Sequence, residues 1–215
     1  MKKILAAAAA SAVLLFAGAA NAGPAWTWAT APTDFTNGSW DFGINFTVTT
    51  PVTVTGLGYY DAGGDGFLSS HEVALYNAGG TFLAGGTVVS ANVLVSGFRF
   101  ITVAPVLLAA GNYQVLGVSH SDLYSYVFGS TPGDFLTLDP RITYLGDSYN
   151  FDNGSGAAFV GIGTGTVNND VNNGIFGPNL RLSDAQKVPE PLTVSLFGAG
   201  LAGVAAMRRR KKNKA

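Results

Sequence analysis

The middle of the chain alternates. In "FGINFTVTT", Phe42, Ile44, Phe46 and Val48 fall on one phase of a two-residue period, with Gly43, Asn45 and Thr47 on the other. That period belongs to a strand with one buried face. Pro51 interrupts it, and "VTVTGLGYY" resumes it. "EVALYNAGGTFLAGGTVV" predicts a hairpin: Val73 and Leu75 face inward, Asn77-Ala78-Gly79-Gly80 turns, and Phe82 opens the return strand. "FRFITVAPVLLAAGNYQVLGVSH" predicts two more strands separated by "AAGN", "YSYVFG" and "RITYLG" are shorter candidates, and "NLRLS" reads as the last strand. Between Asn150 and Asn179 the chain is rich in Gly and Asn, which predicts a long loop. Long helical periodicity is absent from this region. Seven to ten short strands divided by turn signals predict an all-β fold, an antiparallel β-sandwich of jelly-roll-like kind.

Both ends break the alternation. Lys2 and Lys3 precede the apolar run "ILAAAAASAVLLFAGA", and Ala20-Asn21-Ala22 follows with the small-residue pattern of a signal-peptidase site. Residues 1–22 therefore read as a secretory signal peptide cut after Ala22. At the other end Leu192–Met207 carries no charge. At 1.5 Å per residue it spans about 24 Å, slightly less than the roughly 30 Å of a bilayer core, so it predicts a marginal transmembrane helix. Arg208, Arg209, Arg210, Lys211 and Lys212 follow at once as a stop-transfer cluster. Basic residues stay on the cytoplasmic side, which leaves the bulk of the chain outside. The expected organisation is a signal peptide (1–22), a β-sandwich ectodomain (23–184), a linker (185–191), a transmembrane helix (192–207) and a basic cytoplasmic tail (208–215).

Charge sharpens this division. The formal net charge is −1, but eight of the twelve Lys and Arg residues lie in the two terminal segments. From Gly23 to Lys187 four basic residues face twelve acids, a net charge near −8. That suits a surface-facing domain and argues against nucleic acid or anionic lipid as a partner. The chain has no cysteine, so no disulfide framework can staple it and hydrophobic burial must hold the fold.

One stretch carries a metal-like spacing. "DAGGDGFLSSHE" (Asp61–Glu72) has acids at the first and fifth places, Gly at the sixth and Glu at the twelfth, as in an EF-hand loop. Gly63 at the third place offers no side-chain oxygen, and the flanks read as strands rather than helices. What survives is a candidate calcium site at Asp61 and Asp65 on a Gly-rich interstrand loop. Catalytic residues are not assigned: His71 and His120 lie in no nucleophile motif, and G-x-S-x-G is absent. Trp26, Trp28, Trp40, Tyr59, Tyr60, Tyr124 and Tyr126 could line a sugar-stacking face or fill the sandwich core.

Two resemblances add to this. Val188-Pro189-Glu190-Pro191, the apolar segment Leu192–Met207 and the cluster Arg208–Lys212 together resemble the PEP-CTERM sorting signal of Gram-negative bacteria. The resemblance implies that Pro189, Glu190 and Pro191 are a recognition tag for an exosortase-type processing enzyme. It also implies that the chain's stay in the inner membrane is transient. The segments 46–88, 97–117 and 141–182 resemble a recurrent, uncharacterised β-sandwich domain of such proteins, which implies a secreted or surface-associated component, often of bacteria that make exopolysaccharide. The expectation is an exported, non-enzymatic protein of the cell envelope or extracellular matrix, with no required cofactor. A carbohydrate- or calcium-binding module of the exopolysaccharide matrix and a polysaccharide hydrolase stand as alternatives.

Overall fold

The structure is a computed structural model of the chain and describes residues 23–127, 132–152, 154, 156–159 and 174–184. The signal peptide with its cut after Ala22, the Pro189–Pro191 tag, the helix 192–207 and the basic cluster 208–212 lie outside the described residues. Among the described residues no helix is long and apolar enough to cross a membrane.

The strands are β1 (Gly23–Pro24), β2 (Trp26–Trp28), β3 (Thr33–Phe35), β4 (Trp40–Val48), β5 (Val52–Tyr60), β6 (His71–Asn77), β7 (Phe82–Val88), β8 (Val93–Val95), β9 (Phe98–Leu108), β10 (Gly111–Val118), β11 (Tyr124–Val127), β12 (Leu136–Leu138), β13 (Ile142–Phe151), β14 (Gly174–Phe176) and β15 (Pro178–Asp184). A single helical turn, α1 (Pro132–Phe135), precedes β12. One sheet has the order β1-β15-β5-β9-β8 and the other β13-β4-β10-β6-β7. Two small ribbons, β14-β11-β3 and β12-β2, complete the fold. Every pairing is antiparallel.

Successive strands change sheet at β4 to β5, β5 to β6, β7 to β8 and β9 to β10, while β6–β7 and β8–β9 are hairpins within one sheet. The inner orders β1-β15-β5-β9 and β4-β10-β6-β7 are those of a jelly roll, to which β8 and β13 add edges. The expected β-sandwich is therefore present. The "AAGN" turn differs from the expectation in one respect. It carries the chain from one sheet to the other, so β9 and β10 do not pair with each other.

The predicted alternation builds the core. Phe42, Ile44, Phe46 and Val48 are all fully buried, as are Val73 and Leu75 of the β6–β7 hairpin. The sheets approach closely where Tyr59 of β5 reaches across. Its ring lies against Gly117 of β10, where an added Cβ would fall 2.8 Å from it, and against Gly177, where the gap would be 2.5 Å. The ring stacks on His71 of β6 at 4.0 Å with 6° between planes. Pro105 is tolerated in β9 because it falls where the register to β5 shifts, between the Val54–Val106 and Gly56–Thr102 pairs.

The segment expected as a loop from Asn150 to Asn179 is partly structured. Strand β13 extends to Phe151, and Ala157 and Phe159 pack on Ala74, Tyr76, Leu116 and Val118, the outer side of the second sheet. The middle of that sheet is thus buried on both faces. Its outer face also carries fully buried amides, which bond to each other: Gln114 Nε2 donates to Asn45 Oδ1 (2.7 Å), and Asn45 Nδ2 donates to Ser148 Oγ (2.8 Å). Buried polar groups are tolerable when paired in this way.

Phe46→Ala should cost about 3–5 kcal/mol by urea denaturation, because it empties a fully enclosed ring site. Thr47→Ala, one position along on the outer face, should cost less than about 1 kcal/mol. Equal losses at the two positions would contradict the inward phase of β4.

Candidate functional site

Three short pairings bring aromatic side chains to one end of the sandwich. In the β4–β13 ladder Trp40 faces Phe151 and Phe42 faces Tyr149. In the small ribbon, Tyr124 of β11 faces Phe35 of β3. Together with Asn37 and Tyr126, the rings of Phe35, Trp40, Phe42, Tyr124 and Tyr149 line a cleft of about 350 Å³. The rings brace one another edge to face. Phe35 meets Tyr124 at 5.8 Å and Tyr126 at 5.7 Å, and Trp40 meets Tyr149 at 5.8 Å. Phe151 stacks on Trp40 at 4.0 Å. Asn37 Oδ1 accepts hydrogen bonds from Trp40 Nε1 and from the Tyr124 hydroxyl, both at 2.7 Å. The amide nitrogen of Asn37 has no hydrogen-bond partner among the described residues. Phe35 is 41 % exposed and Phe151 68 %, so the rim of the cleft is open.

The seven aromatic residues picked out in the sequence divide between two roles. Trp26, Tyr59 and Tyr60 are core, and half-buried Trp28 packs on Phe98, Tyr60 and Phe176. Trp40, Tyr124 and Tyr126 line the cleft. Phe35, Asn37 and Tyr149 were missed. Phe35 sits on a three-residue strand too short to show a period, and Tyr149 lies between the strand candidate "RITYLG" and the Gly- and Asn-rich segment that begins at Asn150.

The Asp61–Glu72 stretch is held together from within. Gly63, Gly64 and Gly66 have φ of 79°, 73° and 108°, a region that favours glycine. Asp61 Oδ2 accepts from Arg99 Nε at 2.5 Å, and both Asp61 oxygens lie 3.2 Å from the Gly66 amide. Arg99 also donates to the carbonyls of Gly64 (3.1 Å), Asn92 (3.0 Å) and Ser90. Asp61 and Asp65 line one cavity with Asp122, whose carboxylate accepts the Leu68 amide (2.8 Å) and the Ser69 amide (3.0 Å). Glu72 points elsewhere, to His120. Among the described residues no group of three or more His, Asp or Glu side chains could hold a metal ion. A calcium ion at Asp61 would have to displace a guanidinium. The geometry therefore gives Asp61 the task of closing its own loop.

Beside this loop lies a charged corner. His71 Nδ1 is 2.7 Å from the Val118 carbonyl and so donates its proton there, leaving Nε2 3.2 Å from Asp122 Oδ2. Burial pushes the His71 imidazole below its ordinary pKa despite the carbonyl and the carboxylate. His120, with φ of 49°, places Nε2 2.8 Å from Glu72 Oε2 and Nδ1 3.6 Å from Asp152 Oδ2. Asp152 also accepts from Ser39 Oγ at 2.7 Å, the chief cause of its lowered pKa. Asp41 is 3 % exposed, and its Oδ1 has no hydrogen-bond partner. Burial above all, with the nearby charges of Asp152 and Glu72, pushes it up to about 7. Among the described residues neither histidine ring hydrogen-bonds a serine hydroxyl.

A family model described as a domain of unknown function, DUF4082, matches residues 27–156. The chain belongs to that family. The match includes every strand that builds the aromatic cleft and stops short of β14 and β15. A second family model, the PEP-CTERM protein-sorting motif, matches residues 187–211. This DUF4082 protein is thus exported and envelope-associated, with a tail of the kind recognised by exosortase-type processing. No curated protein matches the chain.

The buried acid gives a pH dependence of definite sign. Folded Asp41 keeps its proton up to about pH 7, whereas the unfolded chain releases it near 3.8. The folded state therefore binds more protons across that window, and this group makes the protein less stable as pH rises through it, by at most about 1.4 kcal/mol per unit. Asp41→Asn should leave the melting temperature at pH 4 unchanged within a degree or two and raise it at pH 8 (about 2–6 °C). A melting temperature at pH 8 equal to or below that of the native protein would show that Asp41 is not a strained carboxylate.

Proposed function

We propose that this protein is a non-catalytic binding component of the envelope or extracellular matrix, delivered by its leader and its C-terminal tag. The observation that carries the binding role is the aromatic cleft. Among the described residues its lining includes no carboxylate, imidazole, lysine or arginine, which supports a site that holds a ligand rather than one that moves protons on it. The two histidines support the same reading, since each is spent on a carbonyl or a carboxylate of the fold. The route is a signal peptide cut after Ala22, passage through the inner membrane, and recognition of Pro189, Glu190 and Pro191 by an exosortase-type enzyme while the helix 192–207 and the cluster Arg208–Lys212 hold the chain in the membrane. Calcium has no part in this reading, because Arg99 already neutralises Asp61.

Replacing Pro189-Glu190-Pro191 by three alanines should leave the β-sandwich folded but keep the C-terminal segment on the chain. Fractionation and intact mass of the protein from its producing cells measure this directly. The native protein should appear cut near the tag, and the variant should appear uncut and membrane-bound. Identical mass and location in the two would sink the tag assignment. Release of reducing sugar from matrix polysaccharide by the purified native protein would overturn the non-catalytic reading.

A further inference from the structure

From the walls of the cleft we infer that it binds an uncharged glycan by the flat face of a pyranose ring. This rests on the binding role proposed above and names the ligand for that site. The rings come first. Phe35, Trp40, Tyr124, Tyr126 and Tyr149 surround one opening, and their edge-to-face contacts with one another fix them in place before any ligand arrives. Rings fixed in this way bind with little further loss of side-chain entropy. A pyranose suits such walls because its axial C–H groups form an apolar face that lies against an aromatic ring. The sugar hydroxyls form a polar rim around that face.

An exposed amide in the lining meets that rim. Asn37 turns its carbonyl oxygen to Trp40 Nε1 and the Tyr124 hydroxyl, and this leaves the two N–H groups of its amide without a protein acceptor among the described residues. Those donors match a ring or hydroxyl oxygen. A purely apolar occupant, such as a leucine or phenylalanine side chain of a protein partner, would cover them and leave them unpaired.

Charge and size narrow the ligand. Among the described residues the lining carries no acidic or basic side chain, and the region from Gly23 to Lys187 is near −8. A uronic-acid or sulfated polymer would find no cation in the cleft and a repelling field around it. The volume of about 350 Å³ lies at the small end of ligand sites and accepts about one or two sugar rings of a longer chain, which enters and leaves past the exposed rims at Phe35 and Phe151.

The test uses the full chain, purified in mild detergent, in affinity gel electrophoresis and titration calorimetry. The probes are three soluble neutral polymers, a β-1,4-glucan, an α-1,4-glucan and a galactomannan, with alginate as the polyanion. At least one neutral polymer should retard the protein, and alginate should not. Phe35→Ala and Trp40→Ala should each weaken that binding by about tenfold or more, and Trp40→Phe should recover part of it. Phe82→Ala, an exposed ring on β7, should bind like the native protein. If Trp40→Ala lowers the melting temperature, Phe35→Ala decides, because Phe35 stands 41 % exposed on a short outer strand. The inference is overturned by the absence of binding to all three neutral polymers, by binding to alginate alone, or by binding that survives both alanine substitutions. Any of these with normal C-terminal processing removes the glycan and leaves the sorted, non-catalytic reading standing, whereas cleavage of a polymer removes that reading itself.

Discussion

Two sheets in a chain without cysteine are held by what they bury between them, and here that burial depends on a close approach that only glycine permits. Tyr59 crosses from β5 into a slot left by Gly117 and Gly177 and lies flat on His71. A Cβ at Gly117 would fall 2.8 Å from the Tyr59 ring, so any side chain there forces the ring or the sheets to move. The contact also fixes His71, which in turn sets Val118 and places Asp122 beside it. Asp122 accepts the amides of Leu68 and Ser69, so the inter-sheet contact reaches outward into the loop before β6. The far side of that loop hangs on Arg99, whose guanidinium joins Asp61, Gly64 and the turn at Ser90–Asn92. The loop that resembles a cation site is thus organised by a cation the protein supplies itself.

The cleft depends on the same arrangement by a different route. Trp40 and Phe42 follow the in-phase series that runs through Ile44, Phe46 and Val48 into the core. Where β4 leaves the shelter of the opposite sheet, the in-phase positions no longer meet it. They meet Tyr124 and Tyr149 instead, and an open space remains between them. The cleft is the end of the hydrophobic core, left uncovered where the sandwich stops. Its rings are held by the ladders that hold the fold.

How much of this could be read from the sequence depends on where each element sits. The inward phase was legible: Phe42, Ile44, Phe46 and Val48 of β4 and Val73 and Leu75 of β6 keep the period of two, and the segment of β10 read as a strand as well. The burial of the outward phase was not, because Asn45 and Gln114 are polar yet fully enclosed, and Leu116 and Val118 are covered by Ala157 and Phe159. The N-terminal ribbon strands β2 and β3 are three residues each and exist through partners far along the chain, Leu136–Leu138 and Tyr124–Tyr126. Local pattern cannot show a strand whose only reason is a distant partner. The same gap hid half of the site. Trp40, Tyr124 and Tyr126 were visible as aromatic residues, but Phe35, Asn37 and Tyr149 join one lining only once the pairings bring them together. The Asp61–Asp65 spacing shows which carboxylates are near in sequence, but not that Arg99 faces Asp61.

The last strand links the fold to the sorting tail. Strand β15 does not lie at an edge. It is inserted between β1 and β5, pairing Leu182 with Gly23 on one side and with Val54 on the other. The family match ends at residue 156, yet a domain cut there would expose the whole β5 edge, a row of unpaired amides and carbonyls of the kind that invites aggregation. Every residue through Asp184 is therefore needed to close the sheet, and the sorting motif begins at 187. Processing beyond Asp184 would therefore leave every described strand pairing of this sheet in place.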